Sequence, residues 1–118
     1  MYQKRLFPLC ICLFGILLFS GCERVGLRPP LSVRFRESRL DSSTRVLILC
    51  NRTSDETMVI NVHVVNKKEK QESEKAFALG PGKKGEIGFL EMGWCFEPGE
   101  EVTLHVDGYP MSISVTVP

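Results

Sequence analysis

The sequence predicts an all-β domain, a seven-stranded antiparallel β-sandwich, and three observations carry that expectation. From Leu31 onward apolar residues recur at every second position in short segments, the period of a strand with one buried and one wet face. Those segments are divided by Pro-Gly, Asp-Gly and Asn/Ser/Asp-rich stretches that turn the chain. After Cys22 no stretch shows helical spacing over three turns. Each strand is left with an apolar face that a second sheet must cover.

The first strand sets Leu31, Val33 and Phe35 against Ser32, Arg34 and Arg36. In the second, Arg45 to Cys50, the faces are Val46, Ile48 and Cys50 on one side and Leu47 and Leu49 on the other. Both are apolar, so this strand belongs at the centre of a sheet, with Cys50 read as inward-facing. Residues 51–56 form a turn, because Asn51, Ser54 and Asp55 side chains can bond the nearby backbone. Met58, Ile60, Val62 and Val64 alternate with Val59, Asn61, His63 and Val65 in the third strand. The charged run from Asn66 to Glu74 is read as a hairpin loop. Phe77 and Leu79 mark a short fourth strand ending at Gly80-Pro81-Gly82, and Ile87 with Phe89 a fifth. Pro98-Gly99 turns the chain into a sixth strand with Val102, Leu104 and Val106 on one face. Asp107-Gly108 turns it again into the last, with Met111, Ile113, Val115 and Val117.

Composition bounds the function class. The chain has 118 residues, room for one compact domain, with 43% hydrophobic and 25% charged residues, so neither a disordered chain nor a polytopic membrane protein is indicated. A net charge of +1 gives no reason to expect nucleic acid as a partner. The average hides an uneven distribution. Lys4 and Arg5 precede a 14-residue apolar run from Leu6 to Phe19. A membrane-spanning helix needs roughly 20 such residues, whereas the apolar core of an export signal needs about 7 to 15. Pro8 and Gly15 also interrupt a long helix, and the run has no polar stripe that would mark a buried core helix. The segment reads as an N-terminal signal helix.

Leu18-Phe19-Ser20-Gly21-Cys22 resembles the lipobox of bacterial lipoprotein precursors, although Phe19 stands where that family usually has Leu. The resemblance implies that residues 1–21 are a lipoprotein signal peptide, that the Cys22 thiol takes diacylglycerol, and that Cys22 becomes an acylated mature N-terminus. Small Ser20 and Gly21 suit a peptidase that must approach the backbone beside a lipid. Each buried methylene contributes about 0.8 kcal/mol, so two or three acyl chains, palmitate among them, hold a protein where one does not. Residues 22–30 are then the lipidated N-terminus and tether, and residues 31–118 the domain. Loss of Lys4 and Arg5 leaves 13 basic against 14 acidic residues, a net of −1. The implied location is the cell envelope, anchored to the cell membrane or the outer membrane, with the domain in the periplasm or at the cell surface.

The Leu79-Gly80-Pro81-Gly82 segment with Ile87, and Pro98-Gly99 with Val102 and Leu104, resemble the turn and strand spacing of bacterial extracytoplasmic immunoglobulin-like domains. Val106-Asp107-Gly108-Tyr109-Pro110 before the final strand is similar to prealbumin-like sandwich modules. These likenesses imply a fold, and such folds host many functions.

Few residues offer chemistry. His63 and His105 lie on outward faces without Cys, His or Asp at ligand spacing, so neither a metal nor another cofactor is expected. There is no Gly-x-Ser-x-Gly elbow, no phosphate-cradling glycine loop, and Glu100 and Glu101 point to opposite faces of a strand, so no enzyme is expected. Cys50 and Cys95 are the thiols of the mature domain, and an oxidising compartment permits a bridge between them contributing roughly 3 to 4 kcal/mol. Trp94, Phe96 and Tyr109 could form a platform on which a sugar ring stacks, against the alternative that they cap the core and anchor a turn. The charges are polarised: seven arginines against three acids between Cys22 and Arg52, then six acids and no Lys or Arg from Gly85 onward. Arg34 and Arg36 are expected to pair with acids of a neighbouring strand rather than with anionic headgroups. The function expected is a non-catalytic envelope module that binds an envelope protein or serves a structural role; the alternative is a cell-wall or glycan-binding module using the surface aromatics.

Overall fold

The computed structural model describes residues 27–118, so the expected signal segment, Cys22 and the first part of the tether lie outside the described residues. The strands are β1 (Leu31–Glu37), β2 (Arg45–Asn51), β3 (Met58–Asn66), β4 (Gln71–Leu79), β5 (Lys84–Ile87), β6 (Glu101–Val106) and β7 (Ile113–Thr116), with one helical turn, α1 (Phe89–Met92), after β5. They form two antiparallel sheets, ordered β1-β2-β5 and β4-β3-β6-β7. The all-β, two-sheet, seven-strand expectation is met. β2 is central in its sheet, as its two apolar faces require.

The core lies between the sheets. Leu47 and Leu49 from the three-stranded sheet meet Ile60, Val62, Val64, Val102, Leu104 and Val106 from the four-stranded one, all at 0–1% exposure. Phe96 is fully buried and stands edge-on to Phe35, ring centroids 6.1 Å apart. The glycine turns follow the sequence. Lys83 N–H donates to the Gly80 carbonyl (3.1 Å), Glu100 to Glu97 (3.2 Å) and Tyr109 to Val106 (3.1 Å), with Gly82, Gly99 and Gly108 at the left-handed third position.

Asn51, 0% exposed at the end of β2, uses its whole side chain. Its Nδ2 donates to the carbonyls of Glu56 (2.8 Å) and Leu79 (2.9 Å), and its Oδ1 accepts from Thr53 N (2.9 Å) and Thr53 Oγ1 (2.6 Å). One amide thereby joins β2, the 51–56 turn and β4 of the opposite sheet. Pro29 is buried and Arg52 N–H donates to the Pro30 carbonyl (2.9 Å), so the last residues assigned to the tether pack on the domain.

Four expectations are corrected. The Asn66–Glu74 loop is only the turn Lys67–Lys70, because Gln71–Glu74 pair in β4. β4 is an edge strand and needs no apolar outer face, so its charges are compatible with strand pairing and shield its open edge. Phe89 does not extend β5: it opens α1, where Glu91 Oε1 accepts from Gly88 N–H (2.7 Å) and Gly93 at φ 71° closes the turn. The last strand starts at Ile113, leaving Met111 41% exposed. Cys50 faces outward, because Leu47, Leu49 and Asn51 take the core side of β2.

Candidate functional site

The chain enters the sandwich at one end, here called the near end, where Leu31 pairs with Asn51. The 51–57, 80–83 and 107–112 connections share that end. The far end carries the 38–44 loop, the Lys67–Lys70 turn and the segment from α1 to Glu100. It is built around Glu100, 4% exposed. Glu100 Oε1 accepts from Trp94 Nε1 (2.9 Å) and Glu97 N (2.9 Å), and Oε2 from Asn66 Nδ2 (2.8 Å). The Pro98-Gly99 turn reverses the chain so that this carboxylate points in and Glu101 points out.

Two open clefts flank this hub. One, of about 410 Å³, lies between the Lys67–Glu69 turn and residues 97–101; the other, of about 190 Å³, lies beside Trp94 and Cys95. Lys67 and Lys68 form one wall of the larger cleft and Glu97 and Glu101 another, with Lys67 Nζ 3.2 Å from Glu101 Oε2. Such a surface presents charges of both signs to solvent.

The aromatic platform is not assembled. Phe96 is in the core, and Tyr109, 8% exposed, donates its hydroxyl to Glu56 Oε1 (2.8 Å) at the near end. Trp94 sits by Asn66, so it and Tyr109 are separated by roughly the length of β3, about 26 Å at strand rise. The Cys50–Cys95 bridge that the sequence permits is likewise not formed: both thiols are free. Phe96 bridges to Arg45, which puts Cys95 by the start of β2, whereas Cys50 is five residues further along, about 17 Å, against the roughly 7 Å a disulfide can span.

Both histidines lie on the outer face of the four-stranded sheet, as expected. The pairings Asn61 with His105 and His63 with Thr103 make them diagonal neighbours. His63 Nε2 is 2.6 Å from Glu72 Oε1, and among the described residues no three His, Cys, Asp or Glu converge as a metal site.

The outer face of the three-stranded sheet has three rows, Ser32–Cys50–Lys84, Arg34–Ile48–Glu86 and, beyond the end of β5, Arg36–Val46. Arg36 Nη2 reaches across β2 to Glu86 Oε1 of β5 at 2.7 Å, so the expected pairing of Arg34 and Arg36 with acids of a neighbouring strand is met only in part: the acid is two strands away, and among the described residues Arg34 makes no ion pair. That hydrogen bond and the guanidinium charge hold the Glu86 carboxyl below the usual carboxylate range. Ile48, beneath them, is only 3% exposed although it faces away from the core, since the long flanking side chains cover it.

Sequence reasoning placed Glu100 and Glu101 on opposite faces but not the role of Glu100 as a hub; the only local signal is an acid directly after a Pro-Gly turn. No family model, curated protein or solved structure matches the chain.

Proposed function

We propose that the protein is a bacterial lipoprotein whose Cys22 carries the acyl chains and whose immunoglobulin-like sandwich is a non-catalytic binding or structural module held in the cell envelope. The anchor rests on the basic start, the short apolar run and the Phe19-Ser20-Gly21-Cys22 segment. The observation that carries the binding role is the polarity of the domain: the chain enters at the near end, and the two clefts around Glu100 are at the far end. Loops gathered at one end of a rigid sandwich are a common way to present a binding surface. The immunoglobulin-like reading is supported by β2 pairing with β5 and β3 with β6, the crossed order of Greek-key sandwiches, with β4 placed beside β3. The glycan reading loses its platform with Phe96 in the core and Tyr109 at the opposite end.

Metabolic labelling with a radiolabelled fatty acid tests the anchor. Label is expected in the wild type and absent from Cys22→Ala; equal labelling of both overturns it.

A further inference from the structure

We propose that the outer face of the three-stranded sheet docks on an anionic phospholipid surface, so that the domain lies on its side against the membrane. This rests on the lipid-anchor reading for how the face is brought within reach, and it can fail separately.

The polarity seen along the sequence becomes a polarity between sheets. Arg34 and Lys84 project from the three-stranded sheet and are exposed, and Arg36 lies with them. Exposed Arg28, Arg52 and Lys83 lie at its near end, the latter two fixed there by the bonds of Arg52 N–H to the Pro30 carbonyl and Asn51 N–H to the Lys83 carbonyl (both 2.9 Å), and outnumber the exposed acids Asp55 and Asp107 of the same end. Glu86, the acid in the three rows, is taken up by Arg36. The outer face of the opposite sheet instead carries Glu72, Glu74 and Glu101, with Glu101 paired to Lys67 and Glu72 beside His63. An anionic leaflet attracts one sheet and repels the other, which selects an orientation. Each cation held near such a leaflet shifts the docked equilibrium about fivefold, through roughly 1 kcal/mol.

The tether favours a bilayer over a soluble polyanion. β1 is both the first strand and an edge of the basic sheet. With Pro29 and Pro30 packed on the domain, Pro29 can lie at most about 25 Å from Cys22. So short a link gives the basic face a high effective concentration at the leaflet, and weak attraction suffices. The far-end clefts then face along the membrane plane, toward partners in the same membrane.

Two thiols report the outcome. Cys50 lies in the basic face between Ser32 and Lys84, and exposed Cys95 is at the far end as an internal reference. The purified acylated protein is reconstituted into vesicles of phosphatidylcholine, with or without phosphatidylglycerol, and pulsed with an impermeant maleimide. Each thiol is quantified by peptide mass spectrometry. The Cys50-to-Cys95 labelling ratio is expected to fall severalfold on the anionic vesicles. High salt should restore it, as should Arg34→Glu with Lys84→Glu or, independently, Arg52→Glu with Lys83→Glu. Equal ratios on both vesicles overturn the proposal, as does equal protection by soluble polyphosphate on neutral vesicles. Flotation separates the two readings: protein that floats with neutral vesicles is anchored, protein that floats only with anionic ones docks without an acyl anchor, and protein that floats with neither fails both.

Discussion

The two ends of the sandwich are organised around two buried polar side chains, Asn51 and Glu100, that work differently. At the near end Asn51 both donates and accepts, so it gathers two carbonyls and the N–H and hydroxyl of Thr53 without any charge. At the far end Glu100 only accepts, so what surrounds it is donors: an indole N–H, a backbone N–H and a side-chain amide. The near hub bonds across the two sheets, from β2 to the end of β4. The far hub binds a turn and a loop to the sheet of β3 and β6. A neutral amide can hold mixed backbone partners where two sheets meet; a carboxylate sets the shape of a surface made of loops.

Asn51→Ala tests that contrast most severely. It removes the side-chain partner of the Leu79 carbonyl and of Thr53 N–H in a site closed to water, while Thr53 Oγ1 keeps the Glu56 carbonyl (3.0 Å), and is expected to cost about 3 to 5 kcal/mol in urea unfolding. Glu100→Ala should cost less, about 2 to 3 kcal/mol, because its donors lie by open clefts where water can take them. If the order is reversed, the far end is the main clasp and the comparison fails. Trp94→Phe removes a single donor to Glu100 while keeping most of the ring, and about 1 kcal/mol is expected in the same measurement. The smallest effect belongs to Glu86→Gln, which breaks an exposed pair. Because Arg36 lowers the folded-state pKa of Glu86, that contribution is present above the usual carboxylate range and is lost as pH falls through the lowered value. Thermal unfolding should therefore separate Glu86→Gln slightly from the wild type at neutral pH and not in acid.

Most of the fold is legible because period-two runs and Pro-Gly or Asp-Gly turns are local signals. Val102, Leu104 and Val106 are buried as the alternation predicts, and Gly82, Gly99 and Gly108 take the left-handed positions. Gln71–Glu74 were illegible because pairing in an edge strand depends on the backbone, not on side-chain polarity. Ile48 and Cys50 share the outer face of β2, yet both faces of that strand are apolar, so alternation alone cannot say which side meets the core. Leu47 and Leu49 win it because they pack against β3 and β6. Trp94 and Tyr109 looked like partners because aromatic character carries no position; only the register of β3 puts them at opposite ends. Asn51 was readable as a turn former through Thr53, but its bond to Leu79 joins strands far apart in sequence.

The complete use of the Asn51 amide has a practical consequence for producing the protein. Asn51-Arg52-Thr53 spells an acceptor triplet for N-linked glycan, and a eukaryotic secretory host would encounter it before the chain folds. A glycan on that nitrogen removes a donor from the near-end hub and cannot fit in a position with 0% exposure. Material secreted from such a host should therefore divide into a folded unglycosylated fraction and a glycosylated fraction that fails quality control, whereas a bacterial periplasm would yield one species.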